Sequence, residues 1–281
     1  MTNKQLVLQT DFGLGDGAVS AMYGVAKTIS KDLFIADLTH EITPYNIWEA
    51  SYRLYQTINY WPSGTVFVSV VDPGVGSTRK SVCALTKTGH YIITPDNGTL
   101  SHVARFFGLK EVRQINENTE RLSHSAESHT FHGRDVYAYN GARLASQQIE
   151  LSDLGTPLPV DQIETLELLE PQVADQTITG MIDILDIRFG SLWTNIPLET
   201  LKQLDISRGD TLVTTISHQG KEVYRNEIPF VRSFADVALN KPLIYINSLV
   251  KVGIALNQAS FSQVHHIGTG NDWQVTLHKS R

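Results

Sequence analysis

Strand-like and helix-like stretches take turns through the first 150 residues, and that alternation constrains the fold more than any other feature of the chain. QLVLQT (5–10) is a strand pattern, and GAVSAMYGVAKTIS places Ala18, Met22, Val25, Ala26 and Ile29 on one helical face. LFIADL is a second strand. NIWEASYRLYQTINY is helical, with Ile47, Ala50, Leu54 and Ile58 on its apolar side, and Pro62-Ser63-Gly64 ends it. TVFVSVV, SVCALT and YIITP are strands, GTLSHVARFFG is a helix closed by Gly108, and RDVYAYNGARLAS is another helix. The pattern predicts an α/β N-terminal domain with a largely parallel central sheet.

Beyond Ala145 the texture changes to a polar, proline-punctuated stretch. The remainder carries short strands: TITGMIDILDI, DTLVTTI, KEVYRNEI, LIYINS, VGIALN and WQVTLH, with a hairpin signal at Gly220. This predicts a C-terminal all-β, barrel-like domain. The expected organisation is an α/β domain over 1–160, a linker over 161–176 and a barrel over 177–281.

At 281 residues and 41% hydrophobic, the chain is able to bury a sizeable core. A net charge of −6 with no dense basic run argues against nucleic acid or an anionic membrane as partner. The lone Cys83 excludes an intrachain disulfide. No run reaches the ~18 apolar residues of a membrane span, and MTNKQLVLQT lacks the apolar core of a signal peptide. Cytoplasm is the expected compartment.

In α/β sheets ligands sit beyond the carboxyl ends of the strands, so polar residues at those ends are the candidates. Asp11 follows QLVLQT, Asp72 follows VFVSVV, Asp96 and Asn97 follow YIITP, and His132 precedes a helix. In SVVDPGVGSTRKSV an apolar run stops on Asp72, and a glycine-rich turn brings Arg79 seven residues later. Glycines 13, 15 and 17 match neither a dinucleotide fingerprint nor a Walker A loop. Asp11, Asp72, Asp96 and His132 would suit a mixed oxygen–nitrogen metal site. The chain has no H-E-x-x-H, cysteine cluster or EF-hand loop, however, so no metal is expected.

TDFG, VVDPGVGSTR, PDNG, TFHGRDVYA, DIRFGSLWTNI and LIYINSLVKVGIALNQ occur in that order. Together they resemble the S-adenosyl-L-methionine (SAM) hydrolases, or SAM hydroxide adenosyltransferases, the water-using relatives of the SAM-dependent fluorinase and chlorinase. The resemblance spans nearly the whole chain outside roughly 146–175. It implies SAM plus water giving adenosine and L-methionine, with no cofactor. It also implies a homotrimer with SAM held between neighbouring subunits. The family's aspartate–arginine–histidine set falls on Asp72, Arg79 and His132. The halogenating relatives carry other residues there.

The resemblance also assigns binding roles. Asp11 meets the ribose hydroxyls, Tyr45 flanks the sugar, and Phe131 and Phe189 give apolar contacts, with Trp193 in the same segment as Phe189. Asp186 meets the methionine ammonium, Ser248 its carboxylate, and Asn257 and Gln258 belong to the adenine segment. Two positions depart from the pattern. Ser191 stands where relatives have Asn, and a hydroxyl lacks the paired donor and acceptor of an amide. Leu249 stands where the halogenase has Arg. The chemistry expected of the set puts Arg79 and His132 on the attacking water, with Asp72 fixing Arg79 by a two-point hydrogen bond. A non-catalytic SAM- or adenosine-binding protein and a SAM-dependent halogenase are the alternatives.

Overall fold

Strands β1 (Gln5–Thr10) and β3 (Val66–Val70) are buried along almost their whole length, as central strands covered on both faces must be. They lie in the first of two units, Met1–Glu167 and Leu168–Arg281, in a computed structural model that describes residues 5–280. Residues 1–4, which open the stretch lacking a signal-peptide core, and residue 281 lie outside the described residues.

The first unit adds β2 (Phe34–Thr39), β4 (Ser81–Thr86), β5 (Tyr91–Pro95), β6 (Leu109–Ile115) and β7 (Gly155–Pro157), in the order β2-β1-β3-β5-β4-β6-β7. The sheet is mixed rather than largely parallel. The β2-β1-β3-β5 half is parallel, and β4, β6 and β7 join antiparallel. Connection length explains the difference. Only residues 87–90 separate β4 from β5, too few for the crossover that a parallel pair needs. The strand β6 escapes a periodicity search because its buried residues Leu109, Val112 and Ile115 fall three apart.

Alternate residues of the central strands face opposite helical layers. Leu6, Leu8, Val68 and Val70 pack with Met22 and Ala26 of α1 (Ala18–Ile29) and with Val136 and Ala142. Ala142 belongs to α4 (Tyr139–Ala145), and Val136 to the π-wound turn Gly133–Ala138 that leads into it. On the other face Gln9 donates to the Ala50 carbonyl of α2 (Ile47–Thr57) at 2.9 Å, and α2 packs against α3 (Ser101–Phe106). The side chain of Asn46 caps α2 by accepting from the Glu49 amide at 3.0 Å.

The strands of the second unit pair antiparallel, and the one parallel contact among its described residues is the closing bridge between Phe230 and Ile244. Its strands are β8 (Gln172–Ala174), β9 (Thr177–Leu185), β10 (Leu192–Pro197), β11 (Thr211–His218), β12 (Lys221–Pro229), β13 (Pro242–Ile246), β14 (Lys251–Leu256) and β15 (Trp273–Lys279). The order is β12-β11-β15-β9-β10-β14-β13, with β8 beside β9. A bridge from Phe230, just past β12, to Ile244 of β13 nearly closes the ring into a barrel around Ile182, Leu192, Ile216, Ile254 and Val275. Gln219 and Gly220 both take positive φ between β11 and β12, the two-residue turn whose twist suits a hairpin. No helix among the described residues is long and apolar enough to cross a membrane.

Candidate active site

The loop after β3 opens with Asp72 and ends with Arg79, and Gly76 turns it at φ +77°, a region that disfavours side chains. Arg79 folds back onto Asp72. Its Nε donates to Oδ1 at 3.0 Å and its Nη2 to Oδ2 at 2.7 Å. Because β4 is antiparallel to both neighbours, its first residue, Ser81, lies at the rim where β3, β5 and β6 end. Arg79 Nη1 donates to Ser81 Oγ at 3.0 Å and to Glu117 Oε1 at 2.8 Å, Glu117 standing just beyond β6. Its remaining Nη2 hydrogen meets His132 Nδ1 at 2.9 Å. All five guanidinium donors are therefore taken by protein atoms, and none is left for a water molecule. This differs from the expectation that Arg79 contacts the nucleophile directly.

His132 reaches the cluster from the residue before the π-wound turn, and Tyr137 reaches it from within that turn. Residues five apart sit about 140° apart around an α-helix; the wider winding brings them closer to one face. Tyr137 Oη lies 2.8 Å from Ser81 Oγ, and burial lifts its phenol well above the ordinary range.

The histidine's protonation follows from its partner. Burial, reinforced by the charges of Arg79 and Arg121, holds His132 below its ordinary value against the pull of Glu117 and Asp72, so the ring is neutral. Arginine only donates, so Nδ1 accepts and the proton sits on Nε2. Nε2 is buried without a hydrogen-bond partner among the described residues. Glu117 titrates below the usual carboxylate range. Burial pushes it up, and the hydrogen bonds from Ser81 and Arg79 outweigh that.

Asp72 and His132 border a cavity of about 370 Å³ with Asp11, Phe12, Tyr45, Phe131 and neighbouring residues. Asp11 Oδ2 accepts the Tyr45 amide at 2.9 Å, and Phe12 and Phe131 meet edge to face at 5.9 Å. The Asp11 loop is tied down from behind. Thr10 Oγ1 pairs with His40 Nδ1 at 2.8 Å, His40 Nε2 with Asp37 at 2.8 Å, and the Gly13 amide donates to the His40 carbonyl at 2.8 Å. Asp96 takes no part in this cluster; its Oδ1 accepts the Glu164 amide at 2.9 Å. Among the described residues no group of three or more His, Cys, Asp or Glu side chains is arranged to hold a metal ion.

The second unit holds its own pocket of about 760 Å³. Phe189, Asn257 and Gln258 line it with Arg188, Phe234 and Ser260. The Asn257 amide is committed to the Val237 carbonyl at 2.8 Å, so its side chain secures the 237–241 loop. Asp186 begins the tight turn that carries Phe189: the Gly190 amide donates to its carbonyl at 2.7 Å. Ser191 and Trp193 sit below that turn on Tyr245, whose hydroxyl accepts from Trp193 Nε1 at 3.0 Å and hydrogen-bonds Ser191. Ser248 is exposed on the β13–β14 turn and is not among the residues lining the pocket.

The residues overlooked in the sequence are Ser81, Glu117 and Tyr137 in the first unit, and Tyr245 and Phe234 in the second. Glu117 had a usable signal. Once β6 is paired antiparallel with β4, the end of β6 falls beside the start of β4, where Arg79 lies.

Comparison with known proteins agrees with this layout. The SAM hydroxide adenosyltransferase N-terminal domain model matches residues 6–155 and the corresponding C-terminal domain model residues 180–274. An (R)-S-adenosyl-L-methionine hydrolase of Methanocaldococcus jannaschii is 36% identical over 86% of this chain and 84% of its own length. A fluorinase of Nocardia brasiliensis is 27% identical over 97% of this chain and 96% of its own. A crystal structure of a conserved protein from Thermotoga maritima superposes with a TM-score of 0.87 at 32% identity, covering 97% of this chain and 99% of that one. With both of its units matched, the chain belongs to the SAM hydroxide adenosyltransferase family.

Proposed function

We propose that the protein is an (R)-S-adenosyl-L-methionine hydrolase, in which water attacks the ribose C5′ and releases adenosine, L-methionine and a proton. The observation that carries this reading is a saturated Arg79 two of whose partners, Asp72 and His132, line the cavity. The His132 Nε2–H donates to the water oxygen and fixes its position, leaving a lone pair for attack in line with the departing sulfur. Asp72 Oδ1 accepts one Arg79 hydrogen bond and keeps a lone pair for the water's proton. Sulfonium leaves as a neutral thioether and needs no acid, and the water becomes acidic as the C–O bond forms. A carboxylate is therefore a sufficient base.

Water is favoured over halide by the same geometry. A halide requires donors, and the guanidinium has none to spare. Two carboxylates, Asp72 and Glu117, face one guanidinium, so the cluster repels an anion. In this reading Asp11 holds the ribose hydroxyls with Tyr45 and Phe131 beside the sugar. Phe189, Asn257 and Gln258 form the adenine pocket, and Asp186 and Ser248 meet the amino-acid end. Ser191 and Trp193 support that pocket through Tyr245. No metal or organic cofactor is required. A homotrimer with substrate held between neighbouring copies is part of the proposal, and light scattering should give three times the mass of the chain.

Incubation with SAM is expected to yield equal amounts of adenosine and methionine, unaffected by chelator. Added chloride or fluoride should give no 5′-halo-adenosine. Bound but intact SAM would favour the non-catalytic alternative, and a halogenated product the halogenase. Asp11→Ala should raise KM about 10–100-fold, the equivalent of losing ~1.5–3 kcal/mol of hydrogen bonding to a charged group, and change kcat much less.

A further inference from the structure

Resting on the hydrolase reading, we propose that Glu117 is a positioning residue of this site, setting the orientation of Arg79 and the protonation state of His132 without touching the substrate. Glu117 accepts from Arg79 Nη1 at 2.8 Å and from the Ser81 hydroxyl, and its other oxygen lies 3.6 Å from His132 Nδ1. Asp72 alone would hold only the Nε/Nη2 edge of the guanidinium, leaving it free to pivot. Glu117 and Ser81 hold the Nη1 corner, so the plane is fixed from two sides. A fixed plane aims one Nη2 hydrogen at His132 Nδ1. That contact enforces the Nε2–H form facing the nucleophile.

Charge works alongside geometry. His132 is faced by Asp72 and Arg79 from the two ends of the loop after β3, by Glu117 and Arg121 from beyond β6, and by the His129 ring at 6.1 Å. Of these, Glu117 is the carboxylate that works hardest to keep the imidazole protonatable. Protonation at Nδ1 would break the contact with Arg79, so activity falls as pH drops through the His132 value. Removing the Glu117 charge lowers that value and carries the acid limb with it.

Glu117→Ala is expected to lower kcat by ~10–100-fold, the scale of a misplaced catalytic group, with KM for SAM little changed. Glu117→Gln keeps an acceptor for Arg79 and should recover part of that loss. In both variants the acid limb of the kcat/KM profile should move about 1 unit toward lower pH. Either a wild-type kcat in Glu117→Ala or an acid limb unmoved in both variants overturns the proposal. Nitrogen-15 chemical shifts of the wild-type protein without substrate should show His132 protonated on Nε2 only, and the opposite tautomer would overturn it equally. A wild-type protein that releases no adenosine sinks the hydrolase reading instead, and the tautomer measurement still tests this one.

Discussion

Arg79→Ala is expected to abolish most of the hydrolysis, lowering kcat by at least ~10²–10³-fold, and to destabilise the first unit as well. The two effects share one cause. The guanidinium is the hub to which Asp72, Ser81, Glu117 and His132 are all bonded. Asp72 and Arg79 are about nine-tenths buried or more, so deleting the cation leaves a buried carboxylate with no counter-charge, at a cost of about 3–5 kcal/mol. His132 also loses the donor that dictates its tautomer. Arg79→Lys should restore part of the stability and little of the rate, because an ammonium is a point charge that cannot serve four partners in one plane. Thermal denaturation and steady-state kinetics on the two variants separate the contributions. Full turnover in Arg79→Ala would remove the hub from the mechanism.

Asp72→Asn carries the second large effect. The side chain keeps its size but loses its charge, and its amide offers Arg79 one acceptor oxygen where the carboxylate offered two, its NH2 facing a guanidinium that also only donates. The proton acceptor is gone and the Nε/Nη2 edge of Arg79 is held by one oxygen instead of two. A fall in kcat of ~10²–10⁴-fold is expected, the range of general-base assistance, with KM changed far less, since Asp72 acts on the water rather than on binding. His132→Asn should behave differently and tests the division of labour. If His132 were the base, its loss would be the more damaging of the two. In this structure its one accepting nitrogen is occupied by Arg79, so Asp72 should be the costlier position.

Much of this arrangement was legible because strand ends are chemically conspicuous. Asp11 directly follows a strand pattern and Asp72 an apolar run, and the turn between Asp72 and Arg79 is short and glycine-rich, so local sequence already brings that pair together. The Gln219-Gly220 hairpin was equally local. What escaped depended on pairing between distant segments. The antiparallel β4–β5 hairpin was open to reading from its short connection, but the rest of the mixed sheet depends on β6, whose three-residue spacing disguised it. Glu117 could not be placed until β6 had a partner. LWTNIP is the strand β10, a stretch in which the resemblance singles out only Trp193, and Trp193 together with the preceding Ser191 anchors Tyr245. The π-wound turn is invisible to a 3.6-residue period, yet it is what lets His132 and Tyr137 share a cluster.

The most direct measurement is a crystal structure with adenosine and methionine bound, because the product's 5′-hydroxyl oxygen is the former water. The account places that oxygen within ~3 Å of both His132 Nε2 and an Asp72 oxygen, a hydrogen-bonding distance, with Arg79 still bonded to its four protein partners. A 5′-oxygen held instead by the Arg79 guanidinium, or lying clear of both His132 and Asp72, would contradict it.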